Sequence, residues 1–123
     1  MYAWPISSDA EICRGPVTLE SPHNYSANTT WEHSIVFAGA TSITVSFDPR
    51  SKTERVSDMF TIRERTRRGR VLRSCSGTDF PGVGDVPDFV VESNKVGLKF
   101  ESDGSNQDWG WKVTLTPHGM PSQ

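Results

Sequence analysis

Apolar and polar residues alternate with a period of two in three stretches of the chain. Residues 42–47 place Ile43, Val45 and Phe47 between serines and a threonine. Residues 95–101 repeat the pattern with Val96, Leu98 and Phe100, and residues 111–116 with Trp111, Val113 and Leu115. A period of two puts one set of side chains on a buried face, so each stretch predicts a half-buried strand. Shorter segments of the same kind run over 17–19, 31–37, 59–63, 70–74 and 89–92. Between them lie turn-forming clusters such as Ser21-Pro22-His23-Asn24, Phe80-Pro81-Gly82 and Ser102-Asp103-Gly104-Ser105-Asn106. No window carries a helical stripe longer than two turns. Seven or eight short strands at regular spacing predict an all-β fold: an antiparallel two-sheet β-sandwich of jelly-roll or Greek-key type. The sandwich is expected over 13–117, with 1–12 a tail or edge segment and 118–123 a tail.

Length and composition sharpen this picture in a few places. At 123 residues there is room for one domain, and 34% hydrophobic residues with four Trp and six Phe suffice for one core. A net charge of −2 argues against a wholly basic nucleic-acid binder. No apolar run approaches the ~18 residues of a membrane span, and the first ten residues lack the look of a signal peptide. Two cysteines, Cys13 and Cys75, have no Cys or His at metal-ligand spacing, so they read as one disulfide or two buried thiols. Two glycosylation sequons, at Asn24 and Asn28, would matter only in a secreted protein.

Catalytic constellations are absent. His23, His33 and His118 are scattered, and nothing singles out Cys75 as a nucleophile beside Asp79 or His23, so an enzyme is not expected. The acids are more informative. Asp48 ends one expected strand, Asp58 opens another, and Asp103 sits in a turn after a third. Antiparallel neighbours would bring these to one end of the sandwich, where crowded carboxylates suit Ca²⁺. The same residues also fit ordinary solvated turns. The run 63–70 carries five arginines at an expected hairpin tip. Arg65, Arg67 and Arg68 there form either an anion-recognition surface or a solvated loop. Tyr25 and Trp109 are candidate stacking platforms for a partner or a glycan.

In order and separation, several of these pieces together resemble the CUB domain, a two-sheet jelly-roll. They are Ser21-Pro22-His23-Asn24-Tyr25 followed by Trp31, Ile43 to Asp48, Ser57 to Ile62, Cys75-Ser76-Gly77 with Pro81, and Phe100 to Ser105 leading to Gly110-Trp111. The resemblance covers about Cys13 to Pro117. It implies a non-catalytic protein-interaction module that holds one Ca²⁺ through three acids. Those acids fall on Asp48, Asp58 and Asp103, with the Ser105 backbone nearby. The family's first acid is usually a Glu closer to the second, which makes Glu54 a competitor of Asp48. The ion-held carboxylates of such domains accept a Lys or Arg from a protein partner. Secreted CUB domains carry four cysteines in two local pairs. Here Cys13 and Cys75 stand as halves of different pairs whose other members fall near Thr30 and Arg55-Val56. The resemblance is therefore to cysteine-poor, CUB-like modules of large intracellular proteins, including ubiquitin-ligase-related ones. It implies free thiols and a cytoplasmic or otherwise intracellular setting, against which the two sequons favour secretion. The alternative function is a carbohydrate-binding jelly-roll that uses exposed aromatics.

Overall fold

The structure is a computed structural model and describes residues 4–5 and 10–120. Of the expected tails, 1–3, 6–9 and 121–123 lie outside the described residues. Among the described residues nine strands form two sheets: β1 (Glu11–Cys13), β2 (Val17–Glu20), β3 (Thr30–Phe37), β4 (Ser42–Phe47), β5 (Met59–Glu64), β6 (Val71–Cys75), β7 (Phe89–Val91), β8 (Lys95–Glu101) and β9 (Lys112–His118). One sheet has the order β1-β3-β8-β5-β6 and the other β2-β9-β4-β7. All pairings are antiparallel except β1 with β3. The fold is an all-β sandwich of jelly-roll type. Among the described residues no helix is long and apolar enough to cross a membrane.

The alternation in the sequence becomes the core. Val96, Leu98 and Phe100 of β8 have no exposed surface, and neither do Ile43 and Val45 of β4 or Val113 and Leu115 of β9. The rings of Phe47, Phe60, Phe100, Trp31 and Trp111 meet between the sheets. Phe60 and Trp111 cross at 71° with centroids 4.9 Å apart. Such tilted contacts add specificity to the large area that each ring buries. Trp111 lies one residue before β9, so a side chain expected to begin a strand instead caps the core from the preceding loop.

β1 is the strand without a periodic signal. Three residues are too few to show a pattern, and β1 is held by parallel pairing of Glu11, Ile12 and Cys13 with Ile35, Val36 and Phe37. Cys13 therefore lies on one edge strand of the five-stranded sheet and Cys75 on the other. Strands four places apart are separated by roughly 19 Å, far beyond the ~7 Å between Cα atoms that a disulfide spans. Both thiols are free and buried.

Candidate metal centre

Three loops converge at one end of the sandwich: the β2–β3 loop, the β4–β5 loop and the β8–β9 loop. Their backbones are tied to one another. Lys52 and Gly110 exchange N–H···O bonds of 2.7 and 2.9 Å, and Ser102 N–H donates to Thr29 O at 2.9 Å. Gly110 is required at this crossing. Its φ is +105°, and a Cβ there would come within 2.1 Å of Ser21 Oγ.

Within this frame Asp58 is buried with 0% exposure. A buried carboxylate needs donors, and Asp58 has them. The Tyr25 hydroxyl donates to Oδ2 at 2.5 Å and the Asp103 N–H to Oδ1 at 2.9 Å. Thr53 fixes the backbone by donating its hydroxyl to Asp58 O at 2.9 Å. The same Tyr25 oxygen accepts the Glu54 N–H at 3.1 Å, so one phenol joins both acids. Burial, then the bond to Asp58, pushes the Tyr25 hydroxyl's pKa well above its ordinary value and keeps it protonated as a donor. Asp58 N–H closes a turn onto Glu54 O at 3.1 Å through Val56, whose φ is +71°. A β-branched residue in that region costs about 1–3 kcal/mol, which the surrounding bonds must offset.

Glu54, Asp58 and Asp103 each offer a carboxylate oxygen, and the three oxygens lie within 4.8 Å of one another. Among the described residues none of the three forms an ion pair with a Lys, Arg or His. Glu54 Oε2 accepts a bond from Asn106 Nδ2 at 2.7 Å, whereas Glu54 Oε1 is buried without a partner. Asp103 Oδ1 accepts the Ser105 N–H at 3.1 Å, an Asx turn that aims the carboxylate. Two full charges ~5 Å apart repel by about 3 kcal/mol at an effective dielectric of ~20, so the cluster calls for a cation. An all-oxygen set on flexible loops suits Ca²⁺, and the residues fit the ion that the resemblance implies.

The other sequence candidates lie elsewhere. Asp48 stays outside the cluster because Arg50, two residues on, captures it: its oxygens accept Arg50 N at 2.8 Å, Nε at 3.0 Å and Nη2 at 3.0 Å. Those bonds hold its carboxyl down to about 2. Tyr25 is 2% exposed with its ring edge against Phe100 at 5.1 Å, so it offers no stacking face and instead positions the acids. Trp109 is half-buried; its ring stacks on His23 at 3.8 Å and carries the Arg50 guanidinium 4.8 Å from its centre. Arg65, Arg67 and Arg68 are at the opposite end of β5. Cys75 is no nucleophile: burial pushes its thiol up to about 12. Sequence reading missed the tie from Asn106 to Glu54. Its signal was present as an Asn in the turn that also carries Asp103.

No family model matches the chain. It is 29% identical over 111 residues to the E3 ubiquitin-protein ligase HERC2 of Homo sapiens, covering 90% of this chain and 2% of that protein. It is 34% identical over 106 residues to the zinc finger ZZ-type and EF-hand domain-containing protein 1 of Homo sapiens, covering 85% and 3%. The chain thus spans only a small part of the relatives it matches. Among solved structures, the MASP-1 CUB2 domain bound to Ca²⁺ superposes with a TM-score of 0.66 at 18% identity, over 90% of this chain and 99% of that one. The full extracellular region of zebrafish Gpr126/Adgrg6 gives 0.71 at 15% identity, over 91% and 15%.

Proposed function

We propose that this chain, which has the CUB-domain fold, is a non-catalytic protein-interaction module whose acidic end binds one Ca²⁺ and, through it, a basic side chain of a protein partner. The observation that carries the reading is the cation-free trio Glu54, Asp58 and Asp103, with Glu54 Oε1 buried and unpartnered. Glu54, Asp58 and Asp103 would hold the ion, with the Ser105 turn keeping Asp103 in place. When bound, Ca²⁺ supplies the counter-charge that lets three acidic loops settle together. Each carboxylate has more than one lone pair, so oxygens remain for a charge-assisted bond from Lys or Arg. A groove of about 480 Å³ beside Glu54, lined also by Lys52, Thr53, Asn106, Gln107 and Asp108, offers room for such a side chain. The match to a Ca²⁺-bound domain of the same fold supports the ion. The relatives' sizes and names support a place within a much larger protein, such as one related to ubiquitin ligases.

Calcium titration calorimetry and thermal melting test this reading. The expected outcome is measurable heat and a stabilisation of about 2.7 kcal/mol at a hundredfold excess over Kd. Both should vanish in Glu54→Gln and Asp103→Asn. No heat, and an unchanged melt at millimolar Ca²⁺, would remove the ion from the proposal.

The proposed setting is a reducing, intracellular one, supported by two buried thiols that never meet. Thiol titration of protein isolated from its native source should find two thiols after denaturation and almost none before it. Asn24 and Asn28 are exposed, so glycan mass on the native protein would instead assign it to the secretory route.

A further inference from the structure

The 63–70 arginine run does not project into solvent as a loose hairpin. It folds down onto the outer face of the five-stranded sheet. Arg67 N–H donates to Ser34 Oγ of β3 at 2.8 Å, and Thr66 O lies where a Cβ on Gly97 of β8 would be, 1.9 Å away. Gly69 allows the return turn, since a Cβ there would meet Glu64 O at 1.8 Å. Two glycines therefore press a charged tip flat against a sheet.

This face is strongly positive on a molecule that is not. Among the described residues, the five arginines of the run, with Lys95 and Lys99 on outward positions of β8, share this face with three carboxylates, Glu32, Glu64 and Glu101. The other described residues carry six cations against eleven carboxylates. Glu32 is taken by Arg67 at 2.6 Å, Glu64 by Arg70 at 3.1 Å and Glu101 by Lys99 at 3.5 Å. Among the described residues the side chains of Arg65 and Arg68 make no hydrogen bond or ion pair, and both are exposed. Ser34, Thr66, Arg67 and Arg68 line a recess of about 190 Å³. The hydroxyls in it are set to donate. Ser34 Oγ accepts Arg67 N–H and Thr66 Oγ1 accepts Arg68 N–H at 3.3 Å, so each keeps its own proton; Thr66 offers it at the surface, and Ser34, 2% exposed, only at the floor of the recess.

We propose that this face is a second docking surface, for an acidic segment of a protein partner, with one of its carboxylates seated in the recess beneath Arg68. Charge complementarity selects the occupant. Polypeptide fits better than nucleic acid because no aromatic side chain stands on the outward positions of β3, β5 or β8 to stack a base. The net negative remainder of the chain also repels a long polyanion. The tip and its recess are separate from the ion site, since they lie at the far end of β5 from the acids.

Fluorescence anisotropy of the whole chain with a labelled decaglutamate peptide, at about 50 mM and about 200 mM salt, tests it. Decaglutamate should bind, weakening with salt, and Arg65→Gln/Arg68→Gln should lose at least about tenfold in affinity. Lys112→Gln, a cation on β9 of the other sheet, should change nothing. Gly97→Ala keeps every charge but lifts the tip, and should also weaken binding. If that variant does not fold, Ser34→Ala/Thr66→Ala removes the hydroxyl donors instead and should do the same. Full affinity in both charge-preserving variants would reduce the effect to diffuse attraction and overturn the site. Tighter binding of single-stranded DNA or of phosphatidylserine vesicles would overturn the choice of partner. Self-association abolished by Arg65→Gln/Arg68→Gln would reassign the face to a second copy. Because Glu54→Gln leaves this surface intact, loss of Ca²⁺ binding and loss of peptide binding are separable.

Discussion

The two ends of β5 carry opposite charge clusters built on opposite principles. At its start, Asp58 is wholly buried, donated to by a phenol and a backbone amide, and crowded by two further acids without a cation. At its end, the arginines lie on the surface, and three of the cations on that face are offset by carboxylates they touch. Water screens the second cluster and is excluded from the centre of the first. Equal charges therefore have unequal consequences: the buried Asp58 bears on whether this end of the domain holds together, the exposed bases on what the domain meets.

The largest expected effect tests that contrast directly. Asp58→Ala leaves the Tyr25 hydroxyl and the Asp103 N–H without their acceptor inside the protein, and should cost about 2–4 kcal/mol in urea unfolding. Arg68→Gln should leave the unfolding midpoint where it was. Equal midpoints for the two variants would break the comparison. Tyr25→Phe is a milder probe of the same end. It removes the donor to Asp58 and the acceptor of Glu54 N–H while keeping the ring against Phe100, and should cost about 1–2 kcal/mol. At the basic end, Arg67→Gln breaks the one partly sheltered pair, with Glu32, and should cost no more than about 1 kcal/mol. A larger loss would mean that the tip is part of the stability core.

The smallest effect concerns Asp48, an acid at the acidic end that behaves like a surface pair. Its folded pKa is lowered to about 2 by Arg50, so its stabilisation is complete above the unfolded value near 4 and is lost as pH falls from there towards 2. Asp48→Asn should therefore cost about 0.5 kcal/mol at neutral pH, a deficit that closes as pH falls through that window. A deficit that persists undiminished near pH 2 would show that Asp48 has a role beyond its bond to Arg50.

The sequence made the strands legible wherever a face is buried along several residues. β4 and β8 begin and end where their alternation does, because a one-residue slip would turn every core side chain outwards. β1 was not legible, since three residues carry no period and its place depends on a partner strand more than twenty positions away. The acidic end was legible as a composition of turn acids but not as a set. Asp48 and Glu54 both lie before Asp58 in one loop, and what separates them is a neighbour: Arg50 takes the first, and Tyr25 with Asn106 holds the second. The arginine run reads correctly as a tip, yet its fold-down depends on Gly97 in another strand, which no local pattern reveals.

The register of β2 against β9 has a mechanical meaning. Val17, where β2 begins, lies opposite Leu115, near the end of β9, and Glu20 lies opposite Lys112, where β9 begins. The two outward-leading ends of this pair leave the sandwich on the same side. A pull applied through them, once the three-residue β1 has let go, would open the ladder like a zipper, one rung at a time, rather than shear all its rungs together. Under tension the module would yield from its seam while the aromatic centre is still intact.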